Sequence, residues 1–169
     1  MNMHGRRRGW SLMVSGGLLS AMVCAFLLSG CGKSSEAEIA PLACLAGPGA
    51  YLTALDGAPD KVELSDGTKI SDCLVPRQSG GELATIGADL VAAATTLNSN
   101  AIDDPSGPSS LRAGYLLGAV EKAAWSSNGI HTDLVRRVSA AASYIPQGDD
   151  PSLLQPGFDQ GLEAGRSRG

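Results

Sequence analysis

The sequence predicts a mainly α protein: an antiparallel bundle of about four helices with one small β-hairpin or loop excursion. Three observations predict it. Apolar residues recur at three- and four-residue steps through the middle of the chain, the period of a half-buried helix. Helix start and stop signals bracket those runs. One short stretch, 62–70, alternates as strands do and surrounds an Asp-Gly pair.

A first helix is expected over about 37–55, with Leu42, Leu45, Leu52 and Leu55 on its apolar face. Pro41 and Gly47-Pro48-Gly49 interrupt it, so the alternative is a short turn followed by a helix from Pro48. Asp56-Gly57-Ala58-Pro59 ends it. The 62–70 stretch reads as a hairpin, and a loop of Asp66-Gly67-Thr68 places Leu64 opposite Ile70. Strands this short are marginal without support. Ser79-Gly80-Gly81-Glu82 is the strongest helix start, a capping box in which serine and glutamate satisfy free backbone N–H groups. Leu83, Ile86, Leu90, Ala94 and Leu97 follow as one stripe, and Asn98-Ser99-Asn100 is expected to stop the helix.

Pro105 and Pro108 flank the next turn, with Pro108 suited to the first helical position. The helix after it turns Leu111, Leu116, Leu117, Val120 and Ala124 inward. Gly114 and Gly118 lie one turn apart and each costs about 1 kcal/mol of helix propensity, so a neighbouring helix is expected to approach closely there. Asn128-Gly129 is a stop signal. A last long helix over about 130–145 points Leu134, Val138, Ala141 and Ile145 inward and Arg136 and Arg137 outward. Short connections make these helices antiparallel neighbours. Residues 146–169 read as a turn-rich tail, in which Phe158 and Leu162 dock as one helical turn before a frayed end.

Composition narrows the chemistry. With 13 basic and 17 acidic residues the chain carries a net charge of −4, which opposes a nucleic-acid partner. Its 43% hydrophobic content is that of a globular domain. Two histidines and 4% aromatics leave little material for metal cages or stacking surfaces. His131 falls near a helix start, where the dipole favours the neutral ring, and Ser126, Ser127 and Asp133 are close in sequence. A catalytic triad is assembled by geometry, however, and no Gly-x-Ser-x-Gly elbow is present, so a turn or capping role is expected for His131. Asp103-Asp104-Pro105-Ser106 recurs as Asp149-Asp150-Pro151-Ser152. Such oxygens suit calcium, but the spacing is not that of a calcium loop and turn chemistry accounts for it. No phosphate-cradling loop or zinc spacing occurs, and no cofactor or metal is expected. Tyr51, Tyr115, Trp125, Tyr144 and Phe158 are expected in the core or at its boundary.

The N-terminal region reads as an address. Arg6, Arg7 and Arg8 precede an uncharged apolar run over 11–28, which ends in Leu28-Ser29-Gly30-Cys31. That tetrapeptide resembles the lipobox of bacterial lipoproteins. The resemblance implies that residues 1–30 are a removed signal, that Leu28, Ser29 and Gly30 are its recognition positions, and that the Cys31 thiol receives a diacylglyceryl group. A retained membrane helix would not need a lipobox at its end, and the residues around Arg7-Arg8 match a twin-arginine signal poorly. Residues 31–37 then form the anchor and tether, the segment 32–36 reaching roughly 15–20 Å at about 3.5 Å per residue. The domain proper spans 38–145, with its excursion over 60–75. Being acidic, it is expected to be repelled by anionic headgroups and to hang from its anchor.

Within that resemblance Cys24 leaves with the signal and Cys31 is acylated, so Cys44 and Cys73 remain as an even pair in an oxidising compartment. The implied disulfide would pin the excursion to the first helix; two buried thiols or one reactive thiol are the alternatives. The alanine- and glycine-rich texture and the Cys44…Cys73 layout resemble small lipoproteins of actinobacteria, a likeness that implies no activity. The expectation is a non-catalytic extracytoplasmic module, held in membrane lipid through Cys31, that binds another protein of the cell envelope. A small-ligand carrier with a pocket opened by Gly114 and Gly118 is the alternative, and a hydrolase using His131 the third reading.

Overall fold

Proline and glycine decide how the described chain begins. The computed structural model describes residues 37–143 and 155–169; the expected signal, Cys31, residues 32–36 of the tether, Tyr144, Ile145, Asp149 and Asp150 lie outside them. A 3-10 turn occupies Leu42–Leu45, and helix α1 follows only at Pro48–Leu55. Gly47 between them has φ +87°, which no right-handed helix accommodates, while Pro48 takes the first turn where its missing N–H costs nothing. The split arrangement, a turn and then a helix from Pro48, is therefore the one adopted.

No hairpin forms. Among the described residues there is no strand, only a single bridge between Glu38 and Gln78. Over 62–70 two backbone hydrogen bonds close the turn without extending into strands, Leu64 N to Thr68 O at 2.8 Å and Gly67 N to Leu64 O at 2.9 Å. Gly67 turns the chain at φ +86°, and Asp66 Oδ1 accepts from Thr68 N at 2.9 Å. Val62, Leu64 and Ile70 are all buried, so the two arms are drawn into the core and not across to each other. Ile70 already opens a second 3-10 turn, Ile70–Cys73, which leaves no return strand to pair. What holds the excursion is the Cys44–Cys73 disulfide, with Cα atoms 5.5 Å apart, joining the two 3-10 turns.

Helix α2 runs Gly80–Asp103, helix α3 Ser109–Ser126 and helix α4 Thr132–Ala142. Ser79 caps α2: its Oγ accepts from Glu82 N at 3.2 Å, and its hydroxyl in turn donates to the Glu82 carboxylate at 2.9 Å. The helix passes through Asn98-Ser99-Asn100 instead of stopping there. Leu97, Asn98 and Ala101 are buried, and that side-chain burial outweighs the weak helix propensity of the polar run. Pro105 provides the stop, because a residue before proline disfavours the helical region. Helix α3 ends as expected in a Schellman motif: Asn128 and Gly129 have φ of +55° and +82°, and Gly129 N donates to Ala124 O at 2.8 Å.

The largest departure is at the C-terminal end of the sequence. In place of a frayed tail there is helix α5, Gln155–Arg168. Glycines recur every fourth position, at 157, 161 and 165 within it and at 169 just past its end, and each faces α3. Gly161 meets Leu111 and Tyr115, Gly165 meets Tyr115 and Ala119, and Gly169 meets Ala119, so the two helices run parallel. Gly114 and Gly118 on α3 meet Phe158, Leu162 and Arg166 in return. The expected close approach at those glycines is thus present, and its partner is the segment whose own glycines read as turns. Backbone lies on backbone with no side chain between, a geometry that favours Cα–H···O contacts.

Helix α2 packs on α1, α3 and α4, and the core lies among them. Leu55, Ile70, Ile86, Leu90, Leu116, Val120 and Val138 are fully buried, each contributing about 1.5–3 kcal/mol of transfer free energy. Leu134 seats against Gly87 of α2, a contact that fixes the spacing of α2 and α4.

Candidate functional site

The residues singled out from the sequence fall in three separate places. The disulfide is structural. It is fully buried, and Tyr51, from α1, donates its hydroxyl to Cys44 O at 2.7 Å. Burial, with the nearby Asp89 carboxylate, pushes the Tyr51 hydroxyl well above its ordinary pKa, so it stays a proton donor.

His131 is the residue just before α4 and is 2% exposed. Its side chain makes no helix cap; Nε2 instead reaches across to Val75 O at 3.2 Å. A carbonyl can only accept, so Nε2 carries the proton and Nδ1 is the bare nitrogen, buried with no partner among the described residues. Burial holds the ring below its ordinary pKa of 6.5, partly offset by the Val75 hydrogen bond. The neutral form is as expected, although desolvation is the main cause. The neighbouring groups are not brought to the ring. Ser126 Oγ donates to Ala123 O, Ser127 Oγ to Ala124 O, and Asp133 pairs with Arg136 at 2.7 Å. His131 is thus a tie between the 75–78 segment and the start of α4.

Asp104 accepts from Ser106 Oγ at 2.9 Å within its own turn, and Asp103 is exposed. Among the described residues no three His, Cys, Asp or Glu side chains are grouped to hold a metal. Gly114 and Gly118 open no pocket, because the α5 backbone fills the space that their missing side chains leave.

A cleft does exist elsewhere, of about 830 Å³, where the end of α3, the α3–α4 turn and Arg166 of α5 meet. Trp125 forms one wall, with Ala124 and Val135 adding apolar surface and Asn128 and Thr132 polar groups. The indole is 88% exposed. Glu121 pairs with Arg166 Nε at 2.5 Å and Lys122 donates to Ser167 O at 3.2 Å, so both cations are partly committed to holding α5. Glu121 keeps the Arg166 guanidinium more firmly protonated. Trp125 was expected in the core or at its boundary, and the structure corrects that. The signal lay in its own helix: Glu121 and Lys122 are four and three residues before it, which puts it on the charged face of α3. The α5 wall has no local signal, because α5 lies in the segment whose glycines, taken alone, read as turns.

No protein-family model, curated protein or solved structure matches this chain. Among the described residues no helix is long and apolar enough to cross a membrane.

Proposed function

We propose that this protein is a lipid-anchored extracytoplasmic module, acylated at Cys31, which binds another protein of the cell envelope and does no chemistry of its own. The observation that carries this reading is the order of its N-terminal parts: three arginines, an uncharged apolar run, then Leu28-Ser29-Gly30-Cys31. The Cys44–Cys73 disulfide supports it, since such bonds persist outside the reducing cytoplasm. The non-catalytic part rests on His131, whose protonated nitrogen is committed to Val75 and whose neighbouring hydroxyls are bound to their own helix.

The test is metabolic labelling of the full chain with a clickable fatty acid, followed by membrane fractionation and a crosslinked pull-down. The wild type should carry label, sediment with membranes and recover one stoichiometric protein partner. Cys31→Ala should lose the label and release the domain. Labelled or membrane-bound Cys31→Ala protein would refute the anchor, and an acylated wild type recovered alone would refute the partner.

A second reading is favoured by the Trp125 cleft, whose volume of about 830 Å³ is in the range of small-ligand sites. In that reading the protein carries an amphiphilic molecule against the indole face. Native mass spectra of the extracted protein would show added mass that Trp125→Ala loses; a folded protein with no added mass refutes it.

A further inference from the structure

Among the described residues, the four most exposed large apolar side chains gather at one end of the bundle. Ile39 and Leu42 are 79% and 81% exposed, and Trp125 and Ile130 are 88% and 60% exposed. They come from distant parts of the sequence, but hydrogen bonds bring those parts together. Glu38 N donates to Arg77 O at 3.1 Å, and the two side chains pair at 2.6 Å. Val75, two residues before Arg77, accepts from His131, the neighbour of Ile130. Ser79, two residues after Arg77, starts α2. The entry of the described chain, the start of α2, the end of α3 and the start of α4 therefore share this end.

Charge is distributed against it. Ion pairs neutralise charge at this end, Glu38 with Arg77, Asp133 with Arg136 and Glu121 with Arg166, while Lys122 donates to Ser167 O and Glu82 accepts from the Ser79 cap. Exposed Asp103 and Asp104 sit at the other end, in the α2–α3 turn, where Asp56 also pairs with Arg112 near the start of α3. Single exposed apolar residues are ordinary on a protein surface. Four large ones beside the point where the N-terminal segment joins, and away from the acidic turn, are not scattered.

We propose that this apolar end lies on the bilayer in which Cys31 is anchored, with Ile39, Leu42, Trp125 and Ile130 at the headgroup level. The inference rests on the reading of Cys31 as a lipid anchor. Residues 32–36 then separate the anchored residue from Ala37, a reach of roughly 20 Å, so the end that the tether joins cannot leave the surface far behind. At such a tether length the effective concentration of membrane surface is high, and weak insertion is enough to hold the face down. Tryptophan suits that depth because its ring is apolar and its N–H remains hydrated. The acidic turn points to water, so the repulsion expected for an acidic domain acts on the wrong end to lift it.

The chain has two tryptophans, Trp10 and Trp125, so a Trp10→Phe background makes Trp125 the sole reporter whether or not the signal is cleaved. The full chain, purified from membranes, is reconstituted into phosphatidylcholine vesicles with acyl chains brominated near the headgroup. Intact mass reads acylation at Cys31, and fluorescence reads docking. Trp125 emission should shift to the blue and be quenched about twofold, as for an indole at the interface. Ile39→Glu/Leu42→Glu, two exposed positions that do not line the Trp125 cleft, should stay vesicle-bound and lose most of that quenching.

An acylated, vesicle-bound protein with unquenched Trp125 overturns the proposal: the domain then hangs free. Quenching that persists in the double variant also overturns it, and assigns the signal to lipid held in the Trp125 cleft alone. A blue shift without lipid quenching, accompanied by a crosslinked dimer, gives the face to a second copy and overturns it too. Absence of acyl mass refutes the anchor by itself, while the quenching still decides whether this end meets the bilayer.

Discussion

Gly161→Ala isolates the contact between α3 and α5. A Cβ at Gly161 would lie 2.8 Å from Tyr115 N and closer still to Leu111 O. Both are backbone atoms inside a helix, so no rotamer change relieves the clash. Carbon packs at about 3.5–4.0 Å, so the Leu111 O contact forces α5 outward by roughly 1.5 Å or detaches it. Overpacking of this kind costs about 1–3 kcal/mol, and a backbone obstacle places it in the upper part of that range. Alanine returns about 1 kcal/mol of helix propensity. The net loss is about 1–2 kcal/mol, a fall in Tm of roughly 4–8 °C for a domain of this size. Gly81→Ala is the control: the same chemical change, near the start of α2, with nothing within 4 Å of the new methyl group. It should leave Tm unchanged or raise it slightly. Far-UV circular dichroism melts give the stabilities, and amide hydrogen exchange across α5 distinguishes a displaced helix from a detached one. The reasoning fails if Gly161→Ala melts at or above the wild type with the α5 amides still protected.

Three further expectations follow from the same structure. Removing the disulfide as Cys44→Ser/Cys73→Ser, which opens a loop with a sequence separation of 29, should cost about 3–4 kcal/mol in urea unfolding; a loss below about 1 kcal/mol would show that the excursion holds itself in place. His131 stays neutral in the fold below its ordinary pKa of 6.5, so as pH falls through 6.5 the unfolded chain binds a proton that the native chain does not. Stability should therefore be full above pH 7 and decline from pH 7 toward 5, with His131→Gln flattening that decline; Asp66 and Asp133, held below 3.8 by Thr68 and Arg136, titrate under this window. Ser79→Ala removes the acceptor for Glu82 N and should cost about 1 kcal/mol in thermal melts, and an unchanged Tm would mean that solvent replaces the cap.

Where local chemistry decides an element, it was readable in advance. Ser79 and Glu82 at the start of α2, Asn128-Gly129 at the end of α3, and Pro48 at the first turn of α1 act through their own backbone, and each stands where the residues place it. The stripe Ile86, Leu90, Ala94 and Leu97 is buried as its spacing requires. Gly114 and Gly118 announced a close neighbour, since only tertiary contact compensates two glycines inside a helix. The pairing of Cys44 with Cys73 was legible too, once the export signal was read as removing Cys24 and occupying Cys31.

The neighbour itself was not legible. Glycines at 157, 161, 165 and 169 argue against a helix when each is weighed by propensity, and for one when α3 offers a backbone surface to lie on. That surface belongs to residues nearly fifty positions earlier, so no local window contains it. The same holds for the excursion, where burial of Val62, Leu64 and Ile70 in a shared core defeated a strand pairing that alternation alone favoured. It holds for the Trp125 cleft, one wall of which is Arg166 of α5. The sequence by itself determined the helical class, the caps and the core stripes, because each is written in contiguous residues and read through local backbone chemistry. Only the tertiary structure decided the fifth helix, the buried tie from His131 to Val75 and the gathering of Ile39, Leu42, Trp125 and Ile130 at one end, because each depends on surfaces that distant segments supply to one another.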